Sequence, residues 1–198
     1  LSPFILLDYH APYYYGPSSI RRGVGAHPHR GFETVTISYE GKIEHHDNKS
    51  NHGVIGPGDV QWMTAASGIL HKEYHEKEFS ESGGILHMIQ LWVNLPKDKK
   101  MSEPKYQTLL KEDMGAFKLD NNQGEVSIIA GEFNEIKGPA STFTEINIYN
   151  VNLKNYGKTI LKEPSDFNTG ILVLKGEVKI NGDHIGKETD FIIFDNIE

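Results

Sequence analysis

Two short pairs of potential metal ligands stand out in this chain, His27-Pro28-His29 and His71-Lys72-Glu73. In an extended strand, residues i and i+2 share a face about 6 to 7 Å apart, so each pair can grip one ion from one strand. If two such strands face each other across a barrel, three imidazoles and one carboxylate surround a single ion. That nitrogen and oxygen set suits Fe(II), Mn, Ni, Cu or Zn, and in six-coordinate geometry it leaves two positions open. Open positions belong to catalysis or exchangeable ligands rather than to a closed structural site.

Eight of the ten histidines lie between residues 27 and 87. Glu33 competes with Glu73 for the carboxylate role, since it follows His29 by four residues. On a straight strand that separation is about 13 Å, too far to share an ion. A bend at Arg30-Gly31 would shorten it, and the alternative for Glu33 is an ion pair with Arg30 or a turn contact. Consecutive His45 and His46 must face opposite sides of their strand, so at most one looks inward. His45, His46, His52, His75 and His87 read as groups that orient a ligand or lie on the surface, His52 being in the turn-rich stretch from Asn48 to Gly53.

The elements that must position these residues are strands. Short runs of Val, Ile, Tyr and Thr recur between Gly, Pro, Asn and Asp, the pattern of an antiparallel sandwich or barrel. The expected strands are Thr34 to Tyr39, Lys42 to Asp47, Val60 to Thr64, Ile69 to His75 and Ile85 to Leu95. Pro96 and the polar stretch Lys97 to Pro104 read as a linker. Strand signals resume at Val126 to Ala130, Glu145 to Leu153, Thr159 to Lys162, Gly170 to Leu174, Glu177 to Ile180 and Phe191 to Phe194. Only Gln107 to Met114 has a helical pattern. A faint repeat aligns Ile37-Ser-Tyr-Glu-Gly-Lys-Ile-Glu44 with Leu172-Val-Leu-Lys-Gly-Glu-Val-Lys179, which points to two related barrels joined near residue 100.

Composition narrows the chemistry further. The 198 residues are 37% hydrophobic and carry a net charge of −7 with no cysteine. Disulfides, thiolate nucleophiles and thiolate-bound metals are therefore absent. With no clustered Lys/Arg to neutralise phosphates, direct nucleic-acid binding is not expected. The longest apolar runs are too short to span a bilayer as a helix, and the lack of cysteine fits a cytoplasmic protein. Gly53-Val-Ile-Gly-Pro-Gly58 precedes a strand and lacks the lysine of a phosphate loop. Ser67 near His71 has no recognisable acid to complete a nucleophilic set.

Four blocks together resemble the pirin family of the cupin superfamily. They are His27-Pro-His-Arg-Gly-Phe-Glu-Thr-Val-Thr36, Gly56-Pro-Gly-Asp-Val-Gln-Trp-Met-Thr-Ala65, Gly68-Ile-Leu-His-Lys-Glu73 and Leu91-Trp-Val-Asn-Leu95. The resemblance is dense over about residues 1 to 110. It implies an all-β bicupin of two antiparallel jelly-roll barrels, a metal-binding N-terminal barrel over residues 1–100 and a metal-free C-terminal barrel over 101–198. It implies one mononuclear divalent metal, usually Fe(II), held by His27, His29, His71 and Glu73, with Glu73 also the candidate catalytic base. In the second barrel Lys162 and Pro164 fall where His27 and His29 stand, and they cannot replace two imidazoles. Family members continue past Glu198, so the C-terminal barrel is expected to lack its last strands. The implied activity is dioxygenase cleavage of flavonols such as quercetin with O2. The alternative is an iron-dependent redox sensor that binds a transcription factor or a metabolic enzyme.

Overall fold

The computed structural model describes residues 1–195. Strands account for 51% of the chain and helices for 6%, an all-β architecture. The first strands in chain order are β1 (Phe4–Tyr15), β2 (Gly23–His29), β3 (Phe32–Glu40), β4 (Ile43–Asp47), β5 (His52–Ile55), β6 (Val60–Thr64) and β7 (Ile69–His75). After the short helix α1 (Lys77–Ser82) come β8 (Gly84–Asn94) and β9 (Lys105–Leu109). They form two antiparallel sheets, one ordered β1-β8-β3-β6-β9 and the other β2-β7-β4-β5.

The inner faces of these sheets meet in small apolar clusters, Ile43, Ile55 and Leu86 in one place and Met63, Ala65 and Ile69 in another. The other face of the five-stranded sheet is also buried along β3 and β6. β10 (Gly115–Lys118), β11 (Gly124–Ala130), β12 (Glu132–Phe133), β13 (Ile136–Lys137) and β14 (Ile148–Leu153) follow in the chain, with β10-β11-β14 forming a three-stranded sheet. Ile129, Ala130, Ile146 and Ile148 pack against Val35, Ile37, Val60, Trp62 and Val93. Because both faces of β3 and β6 are covered, their sequences read as nearly continuous burial rather than as strict alternation.

Residues Pro3–Thr159 make one compact unit, while Leu1–Ser2 and the chain from Ile160 onward make another. The second contains two antiparallel pairs, β15 (Gly170–Leu172) with β18 (Phe191–Ile193) and β16 (Glu177–Ile180) with β17 (His184–Lys187). Among the described residues no helix is long and apolar enough to cross a membrane.

Several elements depart from the sequence reading. The stretch with a helical pattern, Gln107 to Met114, instead begins inside β9 and continues as a 3-10 turn at Lys111–Asp113. Pairing from Thr64↔Lys105 to Val60↔Leu109 gives β9 backbone partners and buries Leu109, which outweighs a weak local helical preference. Thr159 to Lys162 forms no strand. Helix α1 carried no periodic apolar signal; it is set by Glu76, whose carboxylate accepts hydrogen bonds from the backbone N–H groups of Glu78 and Phe79 at its N-terminus.

Candidate metal centre

The site is built on β7, which lies between β2 and β4. Alternation puts Ile69, His71, Glu73 and His75 on one face of β7 and Leu70, Lys72 and Tyr74 on the other; Ile69, His71 and His75 are buried, whereas Leu70 and Lys72 are exposed. Register then selects the neighbours: His27 on β2 stands opposite His71, and on β4 His45 stands opposite Glu73 and Asp47 opposite His71. His29, two residues beyond His27, opposes Ile69 and is buried. His27, His29 and His71 offer nitrogens that all lie within 4.8 Å of one another, and a second group of that size comprises His45, His71 and Glu73. His71 belongs to both groups. Glu73 thus shares the interior with the three imidazoles but groups directly with His71 and His45 rather than with His27 and His29.

Hydrogen bonding dictates which nitrogens are bare. Asp47 accepts from the backbone N–H of Lys49 and Asn51 and from the Asn51 amide, contacts that help hold its carboxyl below the ordinary range despite burial. An ionised Asp47 only accepts, so His45 Nε2, 3.1 Å from Asp47 Oδ2, must be the donor. His45 Nδ1 is then an acceptor for His71 Nδ1, 3.3 Å away, and His71 Nε2 is left without a proton. Separately, His27 Nδ1 donates to the Gly25 carbonyl at 2.8 Å, which in the neutral ring leaves Nε2 bare as well. These two bare nitrogens lie 3.0 Å apart. Adjacent corners of an octahedron with metal–nitrogen bonds of about 2.1 Å are separated by about 3.0 Å. His29 Nε2 is buried with no hydrogen-bond partner among the described residues. Burial, reinforced by neighbouring imidazoles, lowers His29 to about 4 and His71 to about 3. Neutral, unprotonated nitrogens converging on one point cost free energy unless a cation joins them, and the donor set fits a divalent metal.

Glu73 is held from the opposite sheet. Gln61 Nε2 donates to one of its oxygens at 2.7 Å and Gln90 Nε2 to the other at 3.1 Å. Those amides are fixed in turn, since the Tyr106 hydroxyl donates to Gln61 Oε1 and Trp92 Nε1 donates to Gln90 Oε1. Tyr106 also stacks on His45, with ring centroids 4.6 Å apart. Beside His29, Phe32 and Trp92 form an aromatic wall, their centroids 5.1 and 5.3 Å from the imidazole.

Glu33 is excluded from this interior. Gly31, with φ +82°, turns the chain from β2 in one sheet to β3 in the other. On β3, Glu33 shares its face with Val35 and Ile37, which pack against the three-stranded sheet. It is fully buried and accepts a hydrogen bond from Thr64 at 2.6 Å, so neither the Arg30 pair nor a turn contact is its role. Burial raises its pKa. The folded state therefore binds the proton more tightly than the unfolded state, and stability declines as pH rises above the ordinary carboxylate range. Glu33→Gln is expected to flatten that decline and to leave metal content unchanged, as read by denaturant unfolding across pH and by metal analysis.

A family model described as Pirin matches residues 1–93. A Pseudomonas aeruginosa protein provisionally named quercetin 2,3-dioxygenase is 49% identical over 195 residues, which span 98% of this chain and 68% of that protein. The chain belongs to the pirin family. Among other pirins, Pirin-1 of Arabidopsis thaliana is 37% identical over 182 residues, covering 92% of this chain and 58% of its own. A crystal structure of quercetin 2,3-dioxygenase from Acinetobacter baumannii superposes with a TM-score of 0.95 at 44% identity, over 99% of this chain and 68% of that one. This chain spans 58% to 68% of the length of these relatives.

Within this pirin chain, the sequence reading did not single out Asp47, Gln61, Gln90 or Tyr106. One signal was available for Gln61, the one amide in the fully buried strand Val60–Thr64. His45 orients His71 and does so through Asp47. His45→Phe keeps a ring against Tyr106 but removes the acceptor, and it is expected to weaken metal retention about 10- to 100-fold. The metal-release rate into a chelator measures this; an unchanged rate would mean that His45 only fills space.

Proposed function

We propose that His27, His29, His71 and Glu73 hold one divalent metal, Fe(II) in the working protein, and that the chain is a dioxygenase acting on flavonol-type substrates. The observation that carries this reading is the convergence of unprotonated imidazole nitrogens beside a carboxylate that is itself held by two amides. The names of the Pseudomonas and Acinetobacter relatives support the substrate class.

Bound there, a redox-active ion would supply Lewis acidity and an electron path for O2 chemistry. Glu73 accepts the proton of a substrate hydroxyl at a carboxylate oxygen, the only such group within the proposed ligand set. Gln61 and Gln90 fix where that proton goes, because each holds one oxygen of the carboxylate. Phe32 and Trp92 offer aromatic edges and faces to a planar ring system, which favours a flavonol over an aliphatic acid. Burial of His29 and His71 limits the access of bulk water to those two ligands.

Oxygen uptake by anaerobically Fe(II)-loaded protein is the test. Uptake that requires both iron and a flavonol such as quercetin is the expected result. No uptake by protein shown to hold one iron would overturn the enzymatic reading and leave the redox-dependent regulator, which a search for a protein partner would then address.

A further inference from the structure

The strand that points His45 into the barrel points its neighbour His46 out of it, and a second convergent group lies on that outer face. His46 on β4 stands directly opposite His52 on β5, with rings stacked at 4.4 Å. Glu44, two residues before His46, shares this face. Both imidazoles aim Nε2 at the same oxygen, Glu44 Oε1, at 2.7 Å from His46 and 3.0 Å from His52. The three ligand atoms all lie within 4.8 Å of one another. Arg21 pairs with the other carboxylate oxygen, Oε2, and so leaves Oε1 turned toward the imidazoles. These contacts pull the Glu44 carboxyl below its ordinary range in spite of its partial burial.

We propose that Glu44, His46 and His52 form a second metal site, independent of the interior one, which takes a borderline transition-metal ion such as Zn²⁺, Ni²⁺ or Cu²⁺. Two imidazoles and one carboxylate favour these ions over Mg²⁺ or Ca²⁺, which want oxygen throughout. Ligand atoms on a tetrahedron with bonds of about 2.0 to 2.1 Å stand about 3.3 Å apart. The present 2.7 and 3.0 Å spacings need to open by only a few tenths of an ångström, within reach of side chains that are 38% and 53% exposed in His46 and His52. Each neutral imidazole moves its proton from Nε2 to Nδ1 through water as the ion arrives, so no net proton is lost. Remaining coordination positions go to solvent. Two cations oppose binding: Arg21 on Glu44, and Lys72, which sits across from His46 on β7. The site is accordingly weaker than an interior cage. An ion there joins β4 to β5, the edge strand of its sheet.

The test is equilibrium dialysis of the full chain against Zn²⁺, with imidazole NMR resonances as an independent readout. The wild type is expected to bind one equivalent more than His52→Ala or His46→Ala, and Zn²⁺ is expected to shift the His46 and His52 resonances together. Lys72→Gln is expected to tighten this equivalent severalfold by removing a like charge. Amide exchange across β5 should slow with Zn²⁺ in the wild type and not in His52→Ala. If the interior site takes no metal, the wild type binds one equivalent instead of two, and that one still disappears in His52→Ala; the two readings fail separately. Equal stoichiometry in the wild type and both histidine variants, with unmoved His46 and His52 resonances, would overturn the proposal.

Discussion

Replacing His71 by alanine is expected to reduce bound interior metal to background and to stop flavonol-dependent oxygen uptake, the largest effect of any single change. His71 is the member common to both interior groups, with Nε2 facing His27 and Nδ1 facing His45. It also sits on β7, between β2 and β4, so its loss removes the side chain that links His27 to His45. Lacking it, His27 and His29 retain two nitrogens on one strand, and Glu73 has no imidazole linking it to them. The buried His45 loses the donor to its Nδ1, a cost of about 1 to 3 kcal/mol for an unsatisfied polar group. Repulsion among clustered imidazoles falls at the same time, so folding should survive. Metal analysis together with thermal unfolding checks both halves, and a folded His71→Ala protein that still held one interior ion at wild-type affinity would contradict the assignment.

Glu73→Gln is expected to lower kcat for a flavonol about 10²- to 10⁴-fold, the usual worth of a positioned general base, while changing KM much less. The substitution preserves size and removes both the charge and the proton acceptor. It also disturbs the two amides that hold the side chain. Gln61 and Gln90 each donate to a Glu73 oxygen, and a glutamine there turns an N–H toward one of those donors. Flipping Gln90 would relieve this clash only by breaking the bond from Trp92, whose indole N–H can only donate, whereas a flip of Gln61 is met by the Tyr106 hydroxyl turning to accept. Loss of the carboxylate charge is expected to weaken metal affinity as well, and kcat must be measured on protein whose metal content has been determined. Full kcat with a full complement of metal would remove Glu73 from the chemistry.

Much of the interior was legible because its determinants are local. The strand period of two puts His27 with His29 and His71 with Glu73 on common faces, and it forces His45 and His46 apart. The runs Val60 to Thr64 and Ile69 to His75 appear as strands at those same limits. What alternation cannot supply is the partner of each strand. Glu33 illustrates this, because its exclusion depends on β3 joining the other sheet after the turn at Gly31 and showing that face to Ile129 and Ile148. The strand β9 illustrates it too, being stabilised by pairing with β6, a partner over 40 residues distant (105 − 64 = 41 at the nearest pair).

By itself the sequence determined an all-β chain, the absence of cysteine from its candidate metal ligands, and the faces on which the His and Glu pairs lie. Tertiary structure alone decided that His27 meets His71, that His45 and Asp47 orient His71, that Gln61 and Gln90 grip Glu73, and that Glu44, His46 and His52 converge outside. The reason is that side-chain alternation is a property of each strand's own backbone, whereas register and sheet order depend on which long-range pairings bury the most apolar surface and satisfy the most polar groups.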